Sequence, residues 1–310
     1  MADPADRYPW PALPLAAWRD TLATLHMWTQ VVGKIRLVRS PWTNHSWHVT
    51  LYVTPRGLTT SPIPHGHRSF QIDFDFVSHE LVLQASDGQQ ARWPLRAEPV
   101  ASFYGRLMEE LERMGLPVAI HCTPCEVADA VPFDLDVVHC AYDRDYANRY
   151  WRILMQSDRV FKEFRARFRG KASPVHFFWG AADLAVTRFS GRSAPKHPGG
   201  IPNLPDWVAQ EAYSQEVSSC GFWAGDDRLP EPAFYSYAYP APPGFAEATV
   251  QPAQAFFHQD LGEFILPYDV VRRAPDPDGT LLGFLESTYV AAATLGQWAP
   301  ALLDAEPGTA

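Results

Sequence analysis

Residues 170–192, GKASPVHFFWGAADLAVTRFSGR, decide how this chain is read, because an earlier stretch echoes them. Gly33-Lys34 closes a helix-like run and leads into residues 48–61, HVTLYVTPRGLTTS. With His48 set against His176, Leu51 meets Trp179, Thr59 meets Thr187 and Thr60 meets Arg188. After a small gap both copies enter a loop bearing Pro, His and Gly, SPIPHGHR and SAPKHPGG. Such an internal echo predicts two related halves, and a cleft between halves is a common place for a ligand. The second copy gathers His176, Trp179, Asp183, Arg188 and Arg192, which are costly side chains to set beside a buried strand. A functional site is therefore expected there.

Outward from this run, helical spacing covers 15–32 through Trp18, Leu22, Leu25, Trp28 and Val32, with Gly33 placed as a C-cap. Strand-like runs follow at 47–54, 70–76 and 81–85. In the last two, Phe70, Ile72, Phe74 and Phe76 take one face, and Ser78-His79 makes the hairpin turn. Residues 101–114 are an amphipathic helix followed by Gly115. The Pro-rich, acidic stretch 117–136 reads as the crossing between halves. A long helix at 145–169 opens the second half, followed by strands near 175–179 and 184–189. Asp206 is an N-cap candidate for a short helix. Further strands are expected at 216–222, 234–239, 255–258 and 263–267, then a last helix from Thr280, its N-cap candidate, to 295. The fold class is α+β: two weakly related halves, each an antiparallel sheet covered by helices. The boundaries are an N-terminal tail 1–14, a first half 15–136, a second half 137–300 carrying the site, and a C-terminal tail 301–310.

Composition narrows the function. Of 310 residues, 46% are hydrophobic and 13% aromatic, which describes a globular, aromatic-rich interior. A formal net charge of −9 argues against a broad phosphate-binding surface, so nucleic acid is not an expected partner. No apolar run reaches the ~18–20 residues of a membrane span. The first residues, MADPADRYPWPALPL, lack the basic and apolar regions of a signal peptide. Four cysteines form no disulfide framework. A cytoplasmic location follows. The signatures G-x-S-x-G, G-x-G-x-x-G, H-E-x-x-H and the P-loop are missing, which disfavours the doubly wound nucleotide folds.

The same motifs resemble an uncharacterised bacterial domain-of-unknown-function family. The resemblance rests on GKxSPVHFFWGxxDLAVTRFSGR, HPGGxPNLPDW, LHMWTQVVGK and RGLTTSPIP, and covers roughly residues 18–298. It implies a stand-alone soluble protein of this length and carries no activity with it.

The candidate residues come from the chemistry of their types. Arg188 with an aromatic neighbour suits a carboxylate or phosphate, and Trp179 can stack. His176 can shuttle protons near neutral pH. The bland alternative is an internal Asp183–Arg188 ion pair beside a satisfied core histidine. A rigid loop at 193–205 brings His197 and Asn203, and Tyr213 and Glu216 follow, with Glu216 read as the inward carboxylate. The expected function is a small-molecule enzyme on a polar, anionic substrate. In it His176, Glu216 and Asp183 are catalytic, and Trp179, Arg188, Lys171, His197, Asn203 and Tyr213 bind substrate. Two rivals stand beside it: a non-catalytic metabolite- or saccharide-binding protein with an aromatic cleft, and a His-ligated metal enzyme. For the latter, His65 and His67 have no third ligand of known spacing. Cys122 and Cys125 with His139 and Cys140 are the only arrangement with recognisable metal spacing, weakened by the surrounding prolines and the lack of a second C-x-x-C. No metal or cofactor is assigned. His258 and Glu263 read as a solvated hairpin end.

Overall fold

A computed structural model of the chain describes residues 9–299, 303 and 304. In the first part, helix α1 (Arg19–Arg39) precedes strands β1 (Tyr52–Thr54), β2 (Gly57–Thr59), β3 (Ile63–His65), β4 (Arg68–Asp75), β5 (Glu80–Ala85) and β6 (Gln90–Pro94), and helix α2 (Val100–Arg113) closes it. After an irregular crossing come α3 (Arg144–Ala166), β7 (His176–Phe178), β8 (Asp183–Ser193), α4 (Asp206–Ala212), β9 (Gln215–Trp223) and β10 (Ala233–Tyr239). Then follow β11 (Phe256–His258), β12 (Glu263–Pro267), α5 (Tyr268–Arg272) and α6 (Pro277–Leu295). The result is an α+β chain with two antiparallel six-stranded sheets, ordered β1-β2-β4-β5-β6 with β3 on β4, and β11-β12-β10-β9-β8-β7. Leu51, just before β1, exchanges backbone hydrogen bonds of 2.9 and 2.8 Å with Phe177 of β7. The facing edges of the two sheets are thereby joined at this pair.

Local chemistry explains most elements. Phe70, Ile72 and Phe74 of β4 are buried, and Phe74 stacks on Phe103 of α2, which stacks on Trp28 of α1 at 4.8 Å. The β4–β5 hairpin turns at Ser78-His79, as its pattern predicts, with His79 at φ +60°. Asp143 caps α3 by accepting from the Asp145 and Tyr146 amides. Gly115 takes φ +65° after α2, the left-handed conformation that ends a helix.

Four expectations need correction. Gly33 is no C-cap: α1 continues six residues beyond it, and a Cβ there would lie 2.2 Å from the Trp179 indole. The glycine is needed for close packing. Asp206 is the first helical residue of α4, and its carboxylate accepts instead from the Gly200 amide at 2.8 Å, folding the preceding loop back. Asp276, not Thr280, caps the last helix, accepting from Gly279 N at 3.0 Å. Residues 9–14, assigned to a tail, are anchored in the second part: Trp10 packs 6.2 Å from both Phe234 and Tyr268, whose hydroxyl donates to Pro11 O. The rest of that segment, and of the 301–310 tail apart from Leu303 and Asp304, lies outside the described residues. Among the described residues, no helix is long and apolar enough to cross a membrane.

The Gly33 contact is testable. Alanine normally favours a helix interior over glycine by ~1 kcal/mol, but here the added methyl must displace Trp179. Gly33→Ala should therefore destabilise the protein by about 1–3 kcal/mol in denaturant unfolding, the usual cost of overpacking. A stabilised variant would refute the packing role.

Candidate functional site

The second sheet separates two environments by its pleat. Along β8, Leu184, Val186 and Arg188 face α3 and α6, while Asp183, Ala185, Thr187 and Phe189 face away. On that far face the registers set Ala185, Gly221 and Tyr235 in one row, Thr187, Ser219 and Tyr237 in the next, and Phe189, Val217 and Tyr239 in a third. These rows floor a cavity of about 1340 Å³, above the ~300–1,000 Å³ of ordinary ligand pockets. Its walls come from both parts of the chain: Leu22 and His26 of α1, the 45–49 segment, the β7–β8 turn, α4 with its preceding loop, and the crossing at 125–128. Trp42 and Trp207, half exposed and 5.2 Å apart, stand at the rim.

The covering loops are tied down. Gln30 of α1 accepts from Cys125 N and donates to Cys125 O, both at 2.8 Å, and His26 Nε2 donates to Gly180 O at 2.8 Å. Lys34 donates to Thr123 O at 2.7 Å. The helical stripe His26, Gln30, Lys34 thus grips the crossing and the β7–β8 turn together, which is what the HMWTQVVGK motif does. The Glu126 amide donates to Pro202 O, and Asn203 Nδ2 donates to Val127 O, joining the crossing to the loop before α4. Eight non-glycine residues take positive φ among those described. His45, Ser46, Glu126 and Ala182 line the cavity, and Asn203 joins the loops over it. Strained backbone concentrates where a fold holds a site in place.

Six carboxyl side chains line this cavity, and three of them, Asp183, Glu126 and Glu263, are displaced toward neutrality. Asp183 accepts from the Tyr235 hydroxyl, two strands away. The contact exists because Gly221 lies between them: any Cβ there would meet that hydroxyl at 2.4 Å. Burial pushes the Asp183 carboxyl up to about 6. Glu126 lines the cavity as an exposed residue whose carboxyl lies against Gly180; crowding of that carboxyl by protein, then the Asp183 charge, raise it to about 7. Desolvation and Asp183 likewise raise Glu263 to about 7. Among the described residues neither glutamate side chain has an ion-pair or hydrogen-bond partner. His176 is 1% exposed, and its Nδ1–H donates to Pro174 O at 2.6 Å. Its Nε2 is therefore a bare acceptor, without a partner among the described residues. Burial pulls this imidazole down to about 4, so it is neutral at pH 7.

The structure brings together His176, Asp183, Trp179, His197 and Tyr213 of the sequence candidates. His197 stacks on Tyr213 at 4.8 Å, and the Tyr213 and Tyr237 hydroxyls bond at 2.7 Å. Trp179 is a wall, not a free stacking ring: its Nε1 donates to Val49 O and its indole lies against Gly33. Asn203 acts through the loops it joins.

Three candidates are placed elsewhere. Glu216 falls on the opposite pleat from Val217 and Ser219, where it accepts from Ser190 and from Arg192 at 2.6 Å. His176 and Glu216 therefore cannot serve one site. Arg188 also points away, its guanidinium carbon 3.4 Å from the Phe164 ring centre and 4.3 Å from that of Tyr289, bonded to Phe164 O and Glu286. An odd number of residues separates opposite faces of one strand, so the Asp183–Arg188 pair does not form. Lys171 stands behind the wall. The His45 Nδ1–H donates to Ala212 O, which leaves Nε2 to accept from Lys171 Nζ at 2.6 Å. The cationic clamp expected from Arg188 and Lys171 is not formed in the cavity, since neither side chain lines it.

Sequence reasoning missed Glu126, Glu263, Tyr235, Tyr237 and His26. A usable signal existed in FYSYAY, where tyrosines at 235, 237 and 239 alternate along one face. Glu263, read as part of a solvated turn, is carried into the cavity because β12 pairs with β10. Nothing local marks Glu126. The cysteine motif has a different use: Cys125 is held by its backbone on Gln30, and Cys140 is exposed. Among the described residues, no three His, Cys, Asp or Glu side chains are grouped to hold a metal ion.

Compared with known proteins, residues 10–305 match a family of unknown function, DUF5996. No curated protein and no solved structure matches the chain significantly.

Proposed function

Because the chain belongs to this family of unknown function, an activity has to be argued from the cavity, and we propose that it is the active site of a small-molecule enzyme working by carboxyl acid–base chemistry. The observation that carries the proposal is the placing of Asp183, Glu126 and Glu263 in one aromatic cavity, held at about 6, about 7 and about 7. A general acid or base works best when it titrates near the operating pH, so that both protonation states are populated. In this reading Asp183 accepts a proton and a neighbouring glutamic acid donates one. Tyr235 orients Asp183 through its hydrogen bond. Neutral His176 offers Nε2 as a hydrogen-bond acceptor and, held near 4, is not the base. Tyr213 and His197 form an aromatic wall.

A binding protein without catalysis is the second reading, favoured by the exposed Trp42–Trp207 pair at the rim. One experiment separates them. A thermal-shift screen of small polar metabolites at pH 7 finds binders, and mass spectrometry follows each binder for conversion. Catalysis predicts a product, with Asp183→Asn slowing turnover by ~10²–10⁴-fold and leaving affinity within a few-fold. Binding with no conversion of any binder would assign the cavity to recognition alone.

We also propose that the two parts are related by duplication. The support is order: β1-β2-β4-β5-β6 runs parallel to β7-β8-β9-β10-β12 once β3 and β11 are set aside as insertions, with α1 and α3 leading and α2 and α6 closing. The cavity then lies at the junction of the halves, with a cytoplasmic, small-molecule role as the expected setting.

A further inference from the structure

Resting on the reading of this cavity as a ligand site, we infer that its ligand presents an organic cation, an alkylammonium or guanidinium group, to Glu126, Asp183 and Glu263.

The donor and acceptor inventory points this way. The unpaired polar atoms facing the cavity from Glu126, Glu263 and His176 are all acceptors when the carboxyls are ionised. Two of the hydroxyl protons nearby are committed: Tyr235 donates to Asp183, and one of Tyr213 and Tyr237 donates to the other. A group with several N–H donors and no acceptors is the complement of such a lining. His176 is an independent witness. It is fully buried, its tautomer is set by Pro174 O, and its one free nitrogen needs a donor that none of the described residues supplies.

Charge agrees. The two arginines of the lining are occupied at the rim, Arg19 with Asp227 and Arg228 with Asp226. Neither glutamate has a counter-ion in contact among the described residues, and the Asp183 charge disfavours ionisation of both, with Arg228 opposing it at Glu263 by a smaller effect. An entering cation relieves that repulsion, whereas an entering carboxylate or phosphate adds to it. The rings fit as well. Trp223 lies beside Asp183 across the β8–β9 ladder, and Tyr237 beside Glu263 across β10–β12, so aromatic faces flank the carboxyls where a cation would sit.

The test uses three probes of one shape and different charge, phenethylammonium, 2-phenylethanol and 3-phenylpropionate, titrated calorimetrically into the full chain at pH 8. The expected order is amine, then alcohol, then carboxylate, with the amine at least ~10-fold tighter than the carboxylate, equivalent to ~1.4 kcal/mol. Glu126→Gln combined with Glu263→Gln should shrink the preference for the amine to the part that Asp183 alone supplies, while the alcohol still binds. Both changes are isosteric and remove repulsion, and a melting curve of the variant verifies that it is folded; should it not be, each single variant is expected to reduce the preference in part. Carboxylate binding as tight as the amine, or an amine preference undiminished by the substitutions, overturns the inference and leaves the cavity reading in place. Failure of all three probes to bind at ~10 mM overturns both.

Discussion

Replacing Arg188 by alanine should cost about 3–5 kcal/mol of folding stability and leave the cavity's ligand affinity unchanged. The side chain is 1% exposed on the helix-facing side of β8, packed among Phe164, Phe168 and Tyr289. Its guanidinium donates to Phe164 O and pairs with Glu286 at 3.4 Å. Alanine removes the pairing, leaves the Phe164 carbonyl at the end of α3 with only the Arg167 amide as donor, and opens a large void between α3, α6 and the sheet. Arg188→Met separates these contributions. Methionine refills most of the volume without a charge to desolvate, and exchange of a buried ion for apolar bulk is often close to neutral. Its expected cost is about 1 kcal/mol. Guanidinium unfolding of both variants, with calorimetric titration of a cavity ligand, reads the two effects apart. An alanine variant that unfolds like wild type, or that binds ligand less tightly while stable, would return Arg188 to the functional site.

Asp183→Asn should do the opposite and stabilise the protein at pH 8, by about 3 kcal/mol. The sign follows from linkage. In the unfolded chain this carboxyl titrates near 3.8; in the fold, burial raises it to about 6. Above pH 6 the folded protein must hold an ionised carboxylate in a poorly solvated site, which the unfolded chain avoids, so the native state is penalised there. As pH falls through 6 toward 3.8 the folded state takes up its proton first, and the penalty disappears. Asparagine never ionises and can still accept from Tyr235. The advantage of the variant is therefore full above pH 6 and gone below pH 4. Thermal melts of both proteins at pH 8 and pH 4 check this. His176 is unchanged in the pair, so its own effect, lost stability as pH falls from 6.5 toward 4, cancels in the difference. An Asp183→Asn variant no more stable than wild type at pH 8 would mean that Asp183 is well solvated, and the acid–base proposal would lose its main support. Stability gained on removing a charged group is the usual trade against function.

Much of the fold is legible in the residues. Alternation in FQIDFDFVSHELVLQAS places the β4–β5 hairpin, because a strand buried on one side must repeat every second residue. Helical spacing places α2 and α3 to within a few residues. The density of His176, Trp179 and Asp183 within one hairpin correctly locates part of the cavity lining. Errors arise where a residue serves a distant partner. Gly33 has the local look of a helix stop, but its reason is the Trp179 ring, far along the chain. Asp206 has the look of a cap, and instead binds the Gly200 amide.

Period-two alternation by itself determined which residues share a face: His176 with Phe178, Asp183 with Thr187, and Glu216 apart from Val217. Which of the two faces is dry was decided only in three dimensions. Packing of α3 and α6 on one side of the sheet buries Arg188 among rings, while α4, the loop before it and the crossing leave a roofed space on the other. Glu126 and Glu263 enter that space from segments more than a hundred residues apart, so no local pattern could announce them. Their shared property, an ionisation displaced toward neutrality, arises from desolvation and from the Asp183 charge. Both causes are distances through space, and a sequence does not contain them until the chain has folded.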